Sequence, residues 1–154
     1  MRKSDSQCKY LDFGAGYNPI PGYLTCDITT NPKLDYQFCE HNNKIIQKNG
    51  KICPQNYFNV IKCRNVFHHI ENIIPILLEL KRIIRYDGYI EIVEPNSKYF
   101  IHNVFLDYFW YRWFRRSNLW FAHEYRNYMP ILKKFFRSVE KWHFQYDEIF
   151  VLYK

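Results

Sequence analysis

Residues 11–28, LDFGAGYNPIPGYLTCDI, carry the pattern that is most informative about the fold class. Its first apolar segment runs directly into Gly14-Ala15-Gly16, and a second apolar segment ends at Asp27. In doubly wound α/β proteins, glycines after the first strand let backbone amides approach a ligand, and an acid after the second strand accepts the ribose hydroxyls. The two segments together therefore favour a nucleoside-containing ligand at this point of the chain.

Seven strands are predicted outward from this stretch, because short apolar segments recur between Gly, Pro, Asn or Asp. They are Lys9–Phe13, Tyr23–Asp27, Leu34–Phe38, Phe58–Cys63, Tyr89–Glu94, Val139–Tyr146 and Glu148–Tyr153. We expect an α/β fold with a Rossmann-like, mostly parallel sheet and an antiparallel C-terminal strand, since the last two strands are joined by a very short connection.

The clearest helix is predicted over residues 72–86, where Ile and Leu recur at helical spacing. Asn72 caps its start, Pro75 is tolerated in the first turn, and Asp87-Gly88 is expected to stop it. Further helices are predicted at Asn43–Asn49, Tyr99–Arg116 and Tyr125–Phe136.

The connections on either side of the second strand are too short for the usual crossover helices. Only Tyr17–Gly22 and Ile28–Lys33 are available, whereas a parallel crossover takes about a dozen residues or more. We therefore expect helices to be missing from one face of the sheet. We expect the side chains on this face to be exposed to water, covered by the aromatic C-terminal region or buried in a homodimer. The side chains predicted to lie on it are Tyr10, Tyr23, Tyr89 and Glu91.

Three segments resemble class I S-adenosylmethionine-dependent methyltransferases, within a compact subgroup that has a shortened loop between the glycine motif and the ribose-binding acid. LDFGAG at 11–16 is similar to their first motif. FNVIKCRNVFHHI at 58–70 is similar to their fourth strand and turn, and LKRIIRYDGYIEIVEPN at 80–96 to the following helix and fifth strand. The resemblance covers roughly residues 9–96 and 139–153. We expect one domain, 1–154, with a cofactor-binding part at 1–96, an aromatic-rich acceptor or lid insertion at 97–136, and a closing β-hairpin at 137–154.

The resemblance also implies how S-adenosylmethionine is held. Gly14, Ala15 and Gly16 pass close to the methionine moiety, Asp27 binds the ribose, and Ile28 lies against the adenine. Asp12 braces the glycine turn.

The resemblance also implies further cofactor contacts, and for one of them neighbouring positions are alternatives. Asn18 replaces a third glycine of the family pattern, and Asn tolerates a left-handed backbone. Glu40 is the candidate for the adenine amino group, with Cys39 or Asn42 as alternatives. Arg64 and Asn65, in the turn after the fourth strand, complete the implied cofactor site.

Catalytic candidates lie in the same turns. If the acceptor is a hydroxyl, a histidine with a pKa near the operating pH removes its proton, and His68 or His69 is placed for this, with His123 and Glu124 as further candidates. A histidine that merely caps or packs beside the following helix is the alternative. Glu94, at the end of the fifth strand, either lies near the acceptor or the sulfonium or is a partner of a helix terminus.

The acceptor is expected to be a small molecule or lipid-like, with O-methylation as the reaction. Residues 99–121 contain eleven aromatic side chains with three arginines, which suits a lid, a hydrophobic wall or contact with a membrane surface, besides ordinary core packing. Two alternatives stay open. The 10 Lys and Arg against 5 Asp and Glu in residues 97–154 suit a nucleic-acid methyltransferase, and the lost helices suit a non-catalytic binding protein. The place where base methylases carry an Asp/Asn-Pro-Pro-aromatic run is occupied here by Arg-Asn-Val-Phe, which disfavours nucleic acid.

The composition and the first residues of the sequence bear on the class of protein and on its compartment. The 154 residues fit one domain, and no apolar run approaches the ~20 residues of a membrane-spanning helix. The start MRKSDSQCKY has no apolar stretch behind its basic residues, so a cytoplasmic protein is expected. Five cysteines without a CxxC pair indicate reduced thiols, and the spacing of Cys39, His41, His68 and His69 matches no standard zinc pattern, so no metal is expected.

Overall fold

The computed structural model describes residues 9–28, 32–95, 127–145 and 147–154. Its strands are β1 (Tyr10–Phe13), β2 (Leu24–Asp27), β3 (Tyr36–Cys39), β4 (Lys44–Gln47), β5 (Phe58–Arg64), β6 (Ile84–Pro95), β7 (Ser138–Phe144) and β8 (Asp147–Tyr153). They form an eight-stranded sheet in the order β4-β3-β2-β1-β5-β6-β8-β7. Strands β3, β2, β1, β5 and β6 are parallel, while β4 and β8 are antiparallel to their neighbours. This confirms the predicted α/β fold and adds an eighth strand.

Two α-helices are present in the described ranges, α1 (Ile74–Ile83) and α2 (Met129–Phe135). Pro75 lies in the first turn of α1, as predicted, but the N-cap residue is Ile73, which makes no side-chain cap. Asn72, the predicted cap, lies one residue earlier, and its Oδ1 accepts the N–H of Ile74 at 3.2 Å. The helix predicted at Tyr99–Arg116 lies outside the described residues. No helix within the described part of the chain is long and apolar enough to cross a membrane.

The predicted stop of the first helix at Asp87-Gly88 is wrong. The helix ends at Ile83, and β6 begins at the next residue, so both residues lie inside a strand. Ile84 is 1% exposed and pairs with Phe58, which explains why the chain turns into the sheet early. A Cβ on Gly88 would lie 2.5 Å from the carbonyl oxygen of Asn59, so glycine is needed here for close strand approach.

The predicted helix at Asn43–Asn49 is also wrong, because this segment contains β4. Asn43 has a φ of +54°, which is incompatible with a continuous α-helix. Ile45 pairs with Phe38 and is fully buried, and its N–H donates to Oε1 of Glu79 at 3.0 Å. Pairing with β3 and burial of Ile45 therefore override the local helical pattern.

Both helices pack on the same side of the sheet, which we call the core face. Tyr128, just before α2, contacts the rings of Phe67 and Phe150, and Lys81 of α1 donates to the carbonyl of Phe135 at 2.5 Å. The strand residues on this face are almost fully buried; they include Leu11, Phe13, Cys26, Ile61, Cys63, Ile90, Ile92 and Leu152.

The opposite side, which we call the tyrosine face, carries the residues predicted to lack a helical cover. The rings of Tyr10 and Tyr23 are 5.2 Å apart, and Tyr10 is 36% exposed. Glu91 pairs with Lys62 at 2.9 Å, and Tyr89 lies beside Tyr153. The described residues of the two short crossovers form turns without a helix, in agreement with the prediction.

Candidate functional site

The candidate site residues collect at one edge of the sheet. The parallel strands β1, β2, β5 and β6 all end there, followed or closed by Gly14, Asp27, Arg64 and Glu94, respectively. Ligands of open α/β sheets bind outside the carboxyl ends of the strands. The edge is therefore the candidate functional site.

The glycine loop after β1 exposes its backbone. Gly14 and Gly16 have φ angles of +79° and +49°, which favour glycine. The N–H groups of Gly14 and Ala15 donate to the carbonyl of Cys26 at 2.8 and 3.1 Å, so the loop is fixed to β2. A Cβ on Gly16 would meet only the carbonyl oxygen of Gly14, at 3.9 Å. The space beside Gly16 is accordingly available to a ligand.

Gly14 has a different reason to be glycine. A Cβ at this position would lie 2.0 Å from Cγ2 of Val66, which is buried in the turn after β5. The close approach of these two turns joins the two halves of the site. Sequence reasoning missed Val66, and nothing in its local pattern signals a contact with a residue so distant along the chain.

Asp27 lies at the end of β2 and is 9% exposed. Its Oδ2 accepts the N–H of Gly16 at 3.0 Å. The carboxylate is thus oriented by the glycine loop, next to the space left by Gly16. Ile28, the next residue, is partly buried against the hydrophobic core.

Asp12 and Arg64 hold the rest of the loop. The buried Asp12 accepts the N–H of Ile20 at 2.8 Å, and the same oxygen lies 3.5 Å from Nη2 of Arg64. Arg64 also donates to the carbonyl of Asn18 at 3.2 Å, while its side chain stays 40% exposed. Asp12 therefore braces the loop at Ile20. Asn18 has no positive φ; the left-handed positions here are glycines.

The second half of the site is organised by Glu94, which is 1% exposed. Its Oε1 accepts the N–H groups of Val66 and Phe67, both at 2.8 Å. Its Oε2 accepts the N–H of His68 at 3.3 Å and lies 2.6 Å from Nδ1 of the same residue. The three-residue 3-10 turn Phe67–His69 thus surrounds a buried carboxylate.

The two histidines differ in environment. The His68 side chain is 11% exposed, whereas His69 is exposed, and their rings are 3.8 Å apart. Nearby on β8, burial and the charge of Glu94 raise the pKa of Asp147. Glu148, paired with Glu94 across the sheet, is bound by Lys141 at 2.8 Å.

The remaining predicted site residues are either exposed or outside the described residues. Glu40 is exposed in the turn after β3, between Cys39 and Asn42. Asn65 is exposed with a φ of +54°, and its N–H donates to the carbonyl of Val93 at 2.9 Å. The aromatic segment 99–121, His123 and Glu124 lie outside the described residues.

Comparison with known families and structures bears on this site. The family model of a methyltransferase domain matches residues 2–132 of this chain. No curated protein is similar enough in sequence to count as a relative.

Several solved structures share the fold at low sequence identity. A SAM-dependent methyltransferase from Archaeoglobus fulgidus matches with a TM-score of 0.62 and 14% identity over 96% of this chain and 86% of that one. The citrinin polyketide synthase CMeT domain gives 0.61 and 13% over 95% of this chain, which spans only 46% of that one. A putative S-adenosyl-L-methionine-dependent methyltransferase from Methanococcus maripaludis gives 0.54 and 14%, over 96% and 77%.

Proposed function

The chain belongs to the class I S-adenosylmethionine-dependent methyltransferase family, and from this premise we propose that it methylates a hydroxyl of a small-molecule or lipid-like acceptor. The observation that carries the proposal is the orientation of Asp27 by the N–H of Gly16, at the carboxyl edge of the parallel sheet. When bound, S-adenosylmethionine supplies a methyl group on a positively charged sulfur, which is open to attack by a nucleophile.

The described residues suit this cofactor. The open space at Gly16 lets the ligand approach the backbone, as a side chain there would not. The buried Asp27 carboxyl group beside that space is suited to accept two ribose hydroxyls, and Ile28 supplies an apolar surface for the adenine. Glu40, exposed at the end of β3, is our candidate partner for the adenine amino group.

The methionine end of the cofactor is assigned to the loop over β1 and β5. The backbone of Gly14, Ala15 and Asn18 lines its path, and Arg64 presents a partly exposed guanidinium there. Because guanidinium groups bind carboxylates through charge-assisted hydrogen bonds, we assign Arg64 to the amino-acid carboxylate, with Asn65 beside it.

We assign the acceptor to the part of the sheet edge that is formed by His68, His69 and Glu94. Methyl transfer is an in-line displacement, so most of the rate comes from holding the nucleophile and the methyl carbon in contact and aligned. A hydroxyl is a weak nucleophile until its proton is removed, and a histidine at this turn is suited to remove it. A base at this place therefore supports methylation of a hydroxyl oxygen over methylation of an atom that is a good nucleophile without losing a proton.

A radiolabel transfer assay tests the proposal. The protein is incubated with methyl-labelled S-adenosylmethionine and, separately, phenol, dodecanol, dodecanoic acid and a mixed RNA. We expect label in one of the hydroxyl-bearing small molecules, and its loss with Asp27→Ala. The surface variant Asp87→Asn serves as the control, because Asp87 is exposed and, among the described residues, forms its ion pair with the nearby Arg85.

Other outcomes point to the alternatives. Label in RNA, with affinity that falls steeply as salt rises, indicates a nucleic-acid methyltransferase. Cofactor binding without label in any acceptor indicates a binding protein built on the methyltransferase fold.

A further inference from the structure

The hydrogen bonds around Glu94 specify more than the shape of a turn. A carboxylate only accepts hydrogen bonds, and Glu94 lies within hydrogen-bond distance of four nitrogens: three successive backbone N–H groups, those of residues 66–68, and Nδ1 of the His68 ring. The three backbone N–H groups donate to both oxygens of Glu94, so the side chain acts as a hydrogen-bond acceptor on both sides. The ring nitrogen 2.6 Å from Oε2 must then carry a proton.

We propose that Glu94 is a positioning residue that fixes the His68 imidazole with its proton on Nδ1. The other ring nitrogen, Nε2, is thereby the one that accepts a proton from the acceptor hydroxyl. This inference rests on the proposed function for the proton-transfer step alone. The assigned tautomer rests on the geometry of the pair and not on the proposed reaction.

The same geometry selects His68 over His69. His68 is held at both its backbone N–H and its Nδ1 by one buried carboxylate, so the ring has little freedom to turn. His69 is exposed and contacts His68 ring to ring. A general base works best when its orientation is set before the acceptor arrives, which is the case for His68.

A glutamine cannot replace Glu94 in this role. Its amide has one oxygen to accept hydrogen bonds, and its NH₂ group would face donors. Either the backbone N–H groups of residues 66 and 67 or the His68 ring would lose its acceptor. Where the turn persists, the glutamine amide can instead donate to an unprotonated Nδ1 of His68, which favours the opposite tautomer.

Several charged or titratable groups face the pair. His69 packs against the His68 ring, and Asp147 and Glu148 of β8 lie beside Glu94. Lys141 of β7 is bound to Glu148, and His143 is the partner of Glu148 across the strands. Any pH dependence of the pair therefore includes these neighbours, so a pH profile alone cannot assign the base.

The proton balance of the step is simple. The hydroxyl proton passes to Nε2 of His68 while the oxygen forms its bond to the methyl carbon and the carbon–sulfur bond breaks. The electrons of that bond return to sulfur, which becomes neutral. The imidazolium, stabilised by Glu94, then releases its proton to water.

Histidine-edited ¹H–¹⁵N NMR of the wild-type protein tests the tautomer without any acceptor. The protein has six histidines, and the ring signals of His68 are identified as those missing from the His68→Asn variant. At a pH where His68 is neutral, we expect its proton on Nδ1, whereas free histidine favours Nε2. Glu94→Gln is expected to shift His68 toward the free-histidine tautomer. A wild-type His68 that carries its proton on Nε2 overturns the proposal, whether or not the variant folds.

Methyl transfer to two phenols tests the role of the pair. Phenol is neutral at pH 7.5 and needs a base, whereas pentafluorophenol is already ionised. We expect His68→Gln and Glu94→Gln to slow transfer to phenol by about 10²–10⁴-fold and to leave transfer to pentafluorophenol within a few fold. Equal losses with both phenols overturn the positioning role and indicate a structural one. If wild type methylates neither phenol, phenols are not acceptors of this enzyme, and the NMR result alone decides on Glu94 and His68.

Discussion

The N–H of Gly16 donates a hydrogen bond of 3.0 Å to Oδ2 of Asp27. The bond joins the glycine loop after β1 to the end of β2, although no helix intervenes between these elements. In this chain the short loop is itself the device that orients the acid. A ligand that binds Asp27 therefore meets a carboxylate whose orientation is already fixed by this hydrogen bond.

Gly14→Ala is expected to destabilise the fold through two effects. Its new methyl group would overlap Cγ2 of Val66, and alanine is strained at a φ of +79°. Strain of this kind costs about 1–3 kcal/mol before the overlap is counted. Urea unfolding of the variant measures the sum.

A second substitution separates the two effects. Val66→Ala removes the overlapping methyl groups, so the double variant should be more stable than the sum of the single losses predicts. We expect a coupling energy within about 0.5–3 kcal/mol. Strictly additive losses would show that the two turns do not touch.

Arg64→Met is expected to weaken binding of S-adenosylhomocysteine by about tenfold, the value of one charge-assisted hydrogen bond. Binding of 5′-methylthioadenosine, which lacks the amino-acid carboxylate, should change much less. Calorimetric titration with both ligands makes this comparison. An equal loss for both would mean that Arg64 acts only by holding the loop at Asn18.

Glu79→Gln is expected to destabilise the protein by about 3 kcal/mol at pH 7, because removal of one partner from a buried ion pair is costly. Glu79 is 2% exposed and binds Arg82 at 2.6 and 2.7 Å and the N–H of Ile45 at 3.0 Å. Lys44→Ala is the control, since Lys44 is 37% exposed and its ion pair with Glu79 should contribute about 0–1 kcal/mol.

The same residue predicts a pH dependence. Burial opposes the charge of Glu79, but the hydrogen bonds from Arg82, Ile45 and Lys44 outweigh it and lower the pKa of the carboxyl. The stability it contributes is therefore complete above the ordinary glutamate pKa of about 4.3 and is lost as pH falls through the lowered folded value. The stability difference between wild type and Glu79→Gln should shrink on acidification. A difference that grows below pH 4 would contradict the assignment.

Much of the fold could be predicted from the sequence, because local signals and packing agree there. The family expected from three motifs is confirmed by the profile match over residues 2–132. The glycines after β1, the acid at the end of β2 and the proline in the first turn of α1 are all local features, and the structure has them as expected.

The errors come from contacts between distant parts of the chain. Residues 43–49 resemble a short helix until pairing with β3 and the buried Glu79 are taken into account. Asp87-Gly88 resembles a helix stop, yet Gly88 serves the close approach of Asn59. The contact of Gly14 with Val66 and the bonds of Glu94 to the turn after β5 join residues that no local pattern relates.

The central claim is that Asp27 binds the ribose of the cofactor, and calorimetric titration with S-adenosylhomocysteine tests it most directly. Loss of two hydrogen bonds to a charged group costs on the order of 1.5–3 kcal/mol each, so Asp27→Ala should bind about 10²–10⁴-fold more weakly than wild type. Asp87→Asn should bind like wild type. Unchanged affinity in Asp27→Ala, with the fold intact, would contradict the claim.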